Sequence, residues 1–219
     1  MREFIKIGMS VCLAALLAKV AFAYEDGDWQ FWSSASIQVN LSESWRAGLE
    51  QQFRLGESMS ELYYRYTDFG VTWKARPWFY LGCDIAQIYE KREGDWKEEN
   101  RPHLNGTFKW SWREFGFENR HRIERRIREE RENIWMYRNN LSSLMPLKWT
   151  RWEIRPYLAD EIFFILDESG LYRHRFTGGF KGQIVHYLGV DIYYLWQSSK
   201  KGEDWIDYHV VGAKLKTTF

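Results

Sequence analysis

The side chains best equipped for chemistry in this chain are its charged ones, and their densest run is RHRIERRIREE at 120–130. Guanidinium and carboxylate groups at this density can pair with one another, bind anions or line a passage. Covalent or acid–base catalysis needs a nucleophile with a base in hydrogen-bond reach. The five histidines are His103, His121, His174, His186 and His209, and none stands in an H-x-S arrangement. No two of them have the short spacing of a metal-binding pair. The stretch Glu93-Gly94-Asp95 with Glu98 and Glu99 could at most hold a divalent ion weakly, and among Lys91, Arg92, Lys97 and Arg101 it reads as a solvated loop. No Gly-rich phosphate loop occurs, and Gly178, Gly179 and Gly182 read as bends. The expectation is no catalytic residue, no metal and no cofactor.

The elements that must carry these charges show a period of two. Trp29, Phe31, Ala35, Ile37, Val39 and Leu41 alternate with Gln30, Ser34, Ser36, Gln38 and Asn40, which is the pattern of strands. The same alternation marks 29–41, 45–55, 62–74, 79–90, 103–112, 115–128, 135–142, 152–164, 171–181, 184–197 and 205–219. The run from Arg120 to Trp135 would show only a thin apolar stripe as a helix. As a strand it places His121, Ile123 and Ile127 opposite Arg120, Arg122, Glu124, Arg126 and Arg128. Carried along the chain, this register collects Arg54, Asp68, Asp84, Glu90, Glu118, Arg120, Arg122, Glu124, Arg126, Arg128, Arg138, Glu153, Arg155, Glu161, Arg173 and Arg175 on one polar face.

Four features predict that this polar face lines the inside of a membrane-type barrel. The segments are long enough for tilted strands to cross hydrocarbon. The breaks between them alternate, longer or highly charged near 56–61, 91–102, 129–134, 165–170 and 198–204, and tight near 42–44, 75–78, 113–114 and 182–183, with the one near 143–151 an exception. Trp29, Trp45, Trp73, Trp78, Trp110, Trp112, Trp135, Trp149, Trp152, Trp196 and Trp205 fall near segment ends, where an apolar ring with a polar N–H suits a membrane boundary. The last segment alternates through Val211, Leu215 and terminal Phe219, and so resembles the assembly signal read by the outer-membrane insertion machinery. The fold expected is all-β, a single antiparallel transmembrane-type β-barrel of 10–12 strands. Because single-chain bacterial barrels have even strand numbers, twelve is preferred over the eleven segments counted.

Residues 1–23 read as a signal peptide, with Arg2 and Lys6, an apolar run Ile7–Leu17 too short for a spanning helix of roughly 20 residues, and Ala21-Phe22-Ala23 as a cleavage site. The barrel domain is then 24–219. Its charge is close to neutral, which excludes nucleic acid as an expected partner, and its one cysteine, Cys83, has no internal disulfide mate.

The stretches SELYYRYTDFGVTWK (60–74), YEKREGDWKEENRPHLNGTFKW (89–110) and ENRHRIERRIRE (118–129) resemble the bacterial family called domain of unknown function 2490, across nearly all of the chain after the leader. The resemblance implies an outer-membrane β-barrel without an established activity, and it carries over no catalytic residue.

The functional expectation is an outer-membrane barrel, not an enzyme, serving a structural role or as a narrow passage. Its lumen is charged and largely self-paired, through Arg54, Asp68, Glu118, Arg120, Arg122, Glu124, Arg126, Arg138, Glu153, Arg155, Arg173 and Arg175. One alternative is an anion-preferring small-solute pore, drawn from the arginine surplus at Arg122, Arg126, Arg173 and Arg175. The other is a soluble periplasmic lipocalin-like barrel binding an apolar ligand. The expected partners are outer-membrane lipid and the insertion machinery, and the barrel is expected to be a monomer.

Overall fold

A computed structural model describes residues 26–148, 150, 152–166 and 170–219. The expected signal peptide at 1–23 and Trp149 lie outside them. Eleven strands follow one another: β1 (Asp28–Asn40), β2 (Trp45–Gly56), β3 (Glu61–Arg76), β4 (Phe79–Arg92), β5 (Asp95–Trp112), β6 (Phe115–Arg128), β7 (Ile134–Leu144), β8 (Arg155–Ile165), β9 (Gly170–Val185), β10 (Leu188–Lys201) and β11 (Asp204–Thr218). Each pairs antiparallel with its neighbour in sequence, and β1 pairs in parallel with β11 to close a barrel. The count lies within the expected range, but the expectation of an even number gives way. An even set would close antiparallel; an odd set must close parallel, so the chain enters the barrel at one end with Asp28 and leaves it at the other with Phe219.

The closing ladder runs from Asp28↔Tyr208 to Gln38↔Thr218. The final residue completes it, with Phe219 N donating to Gln38 O at 2.9 Å and Asn40 N donating to Phe219 O at 2.8 Å. Val211 and Leu215 stand beside Phe31 and Ala35 in this seam, so all three residues of the expected assembly signal lie where the barrel shuts.

The expected contrast of long and short connections is not found. Strands extend into several of the breaks, and the charged stretch 91–102 is mostly ladder, because Glu93 (φ 52°) and Gly94 (φ 91°) form a two-residue turn with both residues left-handed. The break near 198–204 shrinks likewise to Gly202 and Glu203, and the 182–183 turn moves to His186 and Tyr187. The longest connection joins β7 to β8. There, left-handed Thr150 (φ 67°) and Glu153 (φ 49°) stop the alternation before Arg155, later than the predicted 152.

The polarity of the barrel is inside out. Ile37, Leu49, Phe69, Ile85, Leu104, Ile192 and Leu215 are exposed on the outer wall, while Glu124, Glu99, Glu161, Arg122, Arg126 and Arg175 are buried within. Rings gather outside at both ends. Around one end Trp45 stacks on Trp73, Trp78 and Phe79 meet Phe108, Trp110 stacks on Phe117 and Tyr187 on Phe219. Toward the other, Trp29 stacks on His209 beside Tyr194, and Trp196 meets His174 edge-on. The outer wall is not purely apolar. Asn139 donates to Asn119 at 2.7 Å beside the His121–Tyr137 hydrogen bond, and Asp160 meets His174 at 2.5 Å, so these polar groups satisfy one another.

Candidate functional site

Eleven strands enclose more width than the eight whose side chains just fill a bore. The interior here holds a cavity of about 590 Å³. Its position follows from strand parity: each inward residue is every second residue of its strand, which is why β6 presents Glu118, Arg120, Arg122, Glu124 and Arg126 together.

The best-paired layer is built on two buried carboxylates. Glu124 accepts from Arg126 Nε at 2.7 Å and from Arg138 Nη1 at 3.2 Å. Glu161 accepts from Arg138 Nη2 at 2.8 Å, Arg120 Nη2 at 3.1 Å and Arg175 Nη1 at 3.4 Å. Arg138 thus bridges both. Glu99 joins the layer, 2.7 Å from Arg101 Nε and 3.8 Å from Arg126 Nε. A charge taken out of water without a partner is costly, and this sharing gives each buried carboxylate at least two guanidiniums.

Other cations are held differently. The Arg54 guanidinium lies 3.7 Å from the centre of the Trp32 ring and 4.1 Å from that of Tyr64, and Arg175 reaches Trp32 and Phe163. Arg173 Nε donates to Ser199 Oγ and Arg122 Nε to Asn105 Oδ1. Among the described residues, Arg54, Arg122, Arg173, Lys181 and Lys214 have no carboxylate within salt-bridge distance. Counted over the described residues alone, sixteen Arg and Lys side chains line the cavity against six Asp and Glu.

The structure therefore brings most of the predicted cluster together. Arg54, Arg120, Arg122, Arg126, Arg138, Arg173, Arg175 and Glu118 line the cavity, with Glu124 buried behind them. Glu118 pairs with Lys109 at 2.8 Å nearer one mouth. Three residues depart from the expectation, Asp68 among them. Glu153 is in the left-handed turn, exposed and paired with Lys148 at 2.9 Å. Arg155 stands at the rim and donates to the Met145 carbonyl at 2.8 Å. The predicted lumen also lacked Glu99, Arg101, Lys181 and Lys214.

Asp68 stands apart from the arginine layer. It meets Asp84 and His103 from neighbouring strands, with His103 Nε2 3.6 Å from Asp68 Oδ2 and 3.7 Å from Asp84 Oδ2. One ligand atom from each of the three lies within 4.8 Å of the others. The acids of 93–99 do not converge in this way. Glu98 binds Gln87 and Asn100 on the outer face, and Glu99 serves Arg101 inside.

Fold and site together define a closed all-β barrel that turns apolar surface outward and keeps a basic, partly paired interior. The chain belongs to the family described as "protein of unknown function (DUF2490)", which matches residues 29–207. No curated protein matches it.

Proposed function

We propose that this protein is an outer-membrane barrel forming a narrow, anion-preferring passage. The observation that carries the reading is the inverted polarity, with exposed aliphatic residues outside and a cationic surplus inside. Exposed apolar surface on this scale calls for an apolar surrounding, and two rings of aromatic side chains flanking an aliphatic band suit the two faces of a bilayer. The strands, 11 to 18 residues long, meet or exceed the roughly 9–11 needed to cross. A lipocalin-like barrel binding an apolar ligand is disfavoured, because its ligand would have to enter the arginine layer.

Anion preference follows from the partition of charge. The whole chain carries a net charge of only +1, so the internal surplus reflects placement and not composition. Low-dielectric walls focus such a field along the bore. The carboxylates of the layer hold part of the surplus, and Arg54, Arg122, Arg173, Lys181 and Lys214, which have no carboxylate at salt-bridge distance among the described residues, remain for a passing carboxylate or phosphate.

Two measurements test this. Electrophoresis with and without boiling in detergent should shift the mobility of protein from an outer-membrane fraction; recovery in the soluble fraction without a shift would discard the membrane reading. In planar bilayers under a KCl gradient, discrete steps should show an anion-selective reversal potential that moves toward cation selectivity in Arg122→Glu and Arg173→Glu. A silent barrel that still shifts on boiling would overturn the passage and leave a closed structural barrel.

A further inference from the structure

We propose that Asp68, Asp84 and His103 form a three-ligand site for a divalent transition-metal ion of the zinc type, set in the inner wall of the barrel with a fourth position open. The inference is independent of whether the lumen conducts.

The starting point is the tautomer of His103. Its Nδ1 lies 3.0 Å from the Arg101 carbonyl, and a carbonyl can only accept, so Nδ1 carries the proton. In neutral imidazole Nε2 is then a bare lone pair. That atom is buried, finds no hydrogen-bond partner, and faces two carboxylate oxygens. His103 as a whole is only 3% exposed. A lone pair aimed at two anions is unfavourable unless a cation lies between them. A proton on Nε2 does not resolve the arrangement, because 3.6 and 3.7 Å exceed hydrogen-bond reach. Those separations do suit a common ion: ligands about 2.1 Å from a tetrahedral centre lie roughly 3.4 Å apart.

The supporting groups fit the same reading. Metal-bound imidazole ordinarily donates its other N–H to a carbonyl or carboxylate, and ligating carboxylates are themselves hydrogen-bonded. Here His103 donates to Arg101 O, Tyr66 donates to Asp68 Oδ2, and Asn105 donates to Asp84 Oδ2 at 2.6 Å. Asp68 keeps Oδ1 buried and unpartnered. Gly70 makes room, since a Cβ there would overlap the Asp84 carboxylate. A side cavity of about 100 Å³ reaches Asp68 and Asp84, enough for an exchangeable water or a small oxyanion in the fourth position. Two carboxylates and a neutral imidazole balance a divalent charge, and imidazole selects zinc, copper, iron and nickel over magnesium and calcium.

The test uses the full barrel in detergent, stripped with chelator and titrated with Zn²⁺ and Co²⁺ by calorimetry and visible absorption. One ion per barrel is expected, with cobalt bands of low coordination number, and neither Ca²⁺ nor Mg²⁺ should compete. Asp84→Asn and His103→Gln should abolish saturable binding. Asn105→Ala should weaken it about 10- to 100-fold, and Glu98→Gln on the outer face should leave it unchanged. Heat-modifiability reports whether each variant folds, and if His103→Gln does not, Asp84→Asn and Asn105→Ala decide. Folded wild-type barrel that takes up no zinc, binding that survives Asp84→Asn, or preference for Ca²⁺ or Mg²⁺ would each overturn the proposal.

Discussion

Glu161→Gln is the sharpest probe of the interior. The substitution keeps the shape and one acceptor oxygen but removes the charge shared by Arg120, Arg138 and Arg175. Arg138 retains Glu124, whereas Glu161 is the carboxylate that Arg120 and Arg175 meet at salt-bridge distance. The Glu161 side chain is 8% exposed. Removing one partner from a buried ion pair leaves uncompensated charge and costs about 3–5 kcal/mol. Urea unfolding from lipid vesicles, followed by tryptophan fluorescence, measures it; at a slope of about 2 kcal/mol/M the midpoint should fall by about 2 M. Glu118→Gln is the control, because its partner Lys109 and Glu118 itself are nearly half exposed, and loss of such a pair should cost under about 1 kcal/mol. If Glu161→Gln costs no more than Glu118→Gln, the layer is well hydrated and the argument from buried charge fails.

Two further outcomes follow from the walls. Leu104 is 61% exposed on the outer face, so Leu104→Arg should be nearly neutral in a water-surrounded barrel but cost about 2–4 kcal/mol near a bilayer midplane, read from the same urea midpoints in vesicles. Gly212 faces Tyr193 so closely that a Cβ would overlap its ring; Gly212→Ala should destabilise by about 1–3 kcal/mol, checked by the temperature at which the electrophoretic shift occurs.

The strands were legible because side-chain direction repeats every two residues whatever the fold does next. Arg120, Arg122, Glu124 and Arg126 could be placed on one face from spacing alone, and the structure buries or half-buries all four. Legibility failed where outward residues are themselves polar. In β5, Glu98 and Asn100 occupy outward positions, so the inward set of Glu99, Arg101 and His103 had no apolar counterpart to reveal it. Pro102, which lacks an N–H, falls where the β5–β6 ladder skips two residues. Glu153 failed in the opposite sense: it continued the parity of Arg155 but sits in a turn. The grouping of Asp68, Asp84 and His103 was not legible at all. It depends on the registers Gly70↔Asp84 and Asp84↔His103, and the second is set by the Glu93-Gly94 turn, which lies inside a charged stretch that read as a loop.

The parallel seam has a consequence for assembly. Every other strand meets its mate within one hairpin, but β1 must wait for a strand about 180 residues later, and such long closures are slow to form. Until β11 arrives, β1 offers a bare row of amide and carbonyl groups, the sort of edge that recruits neighbouring chains. That row stays open along its whole length until β11 lies beside it, and Phe219 supplies two of the bonds that finish the ring.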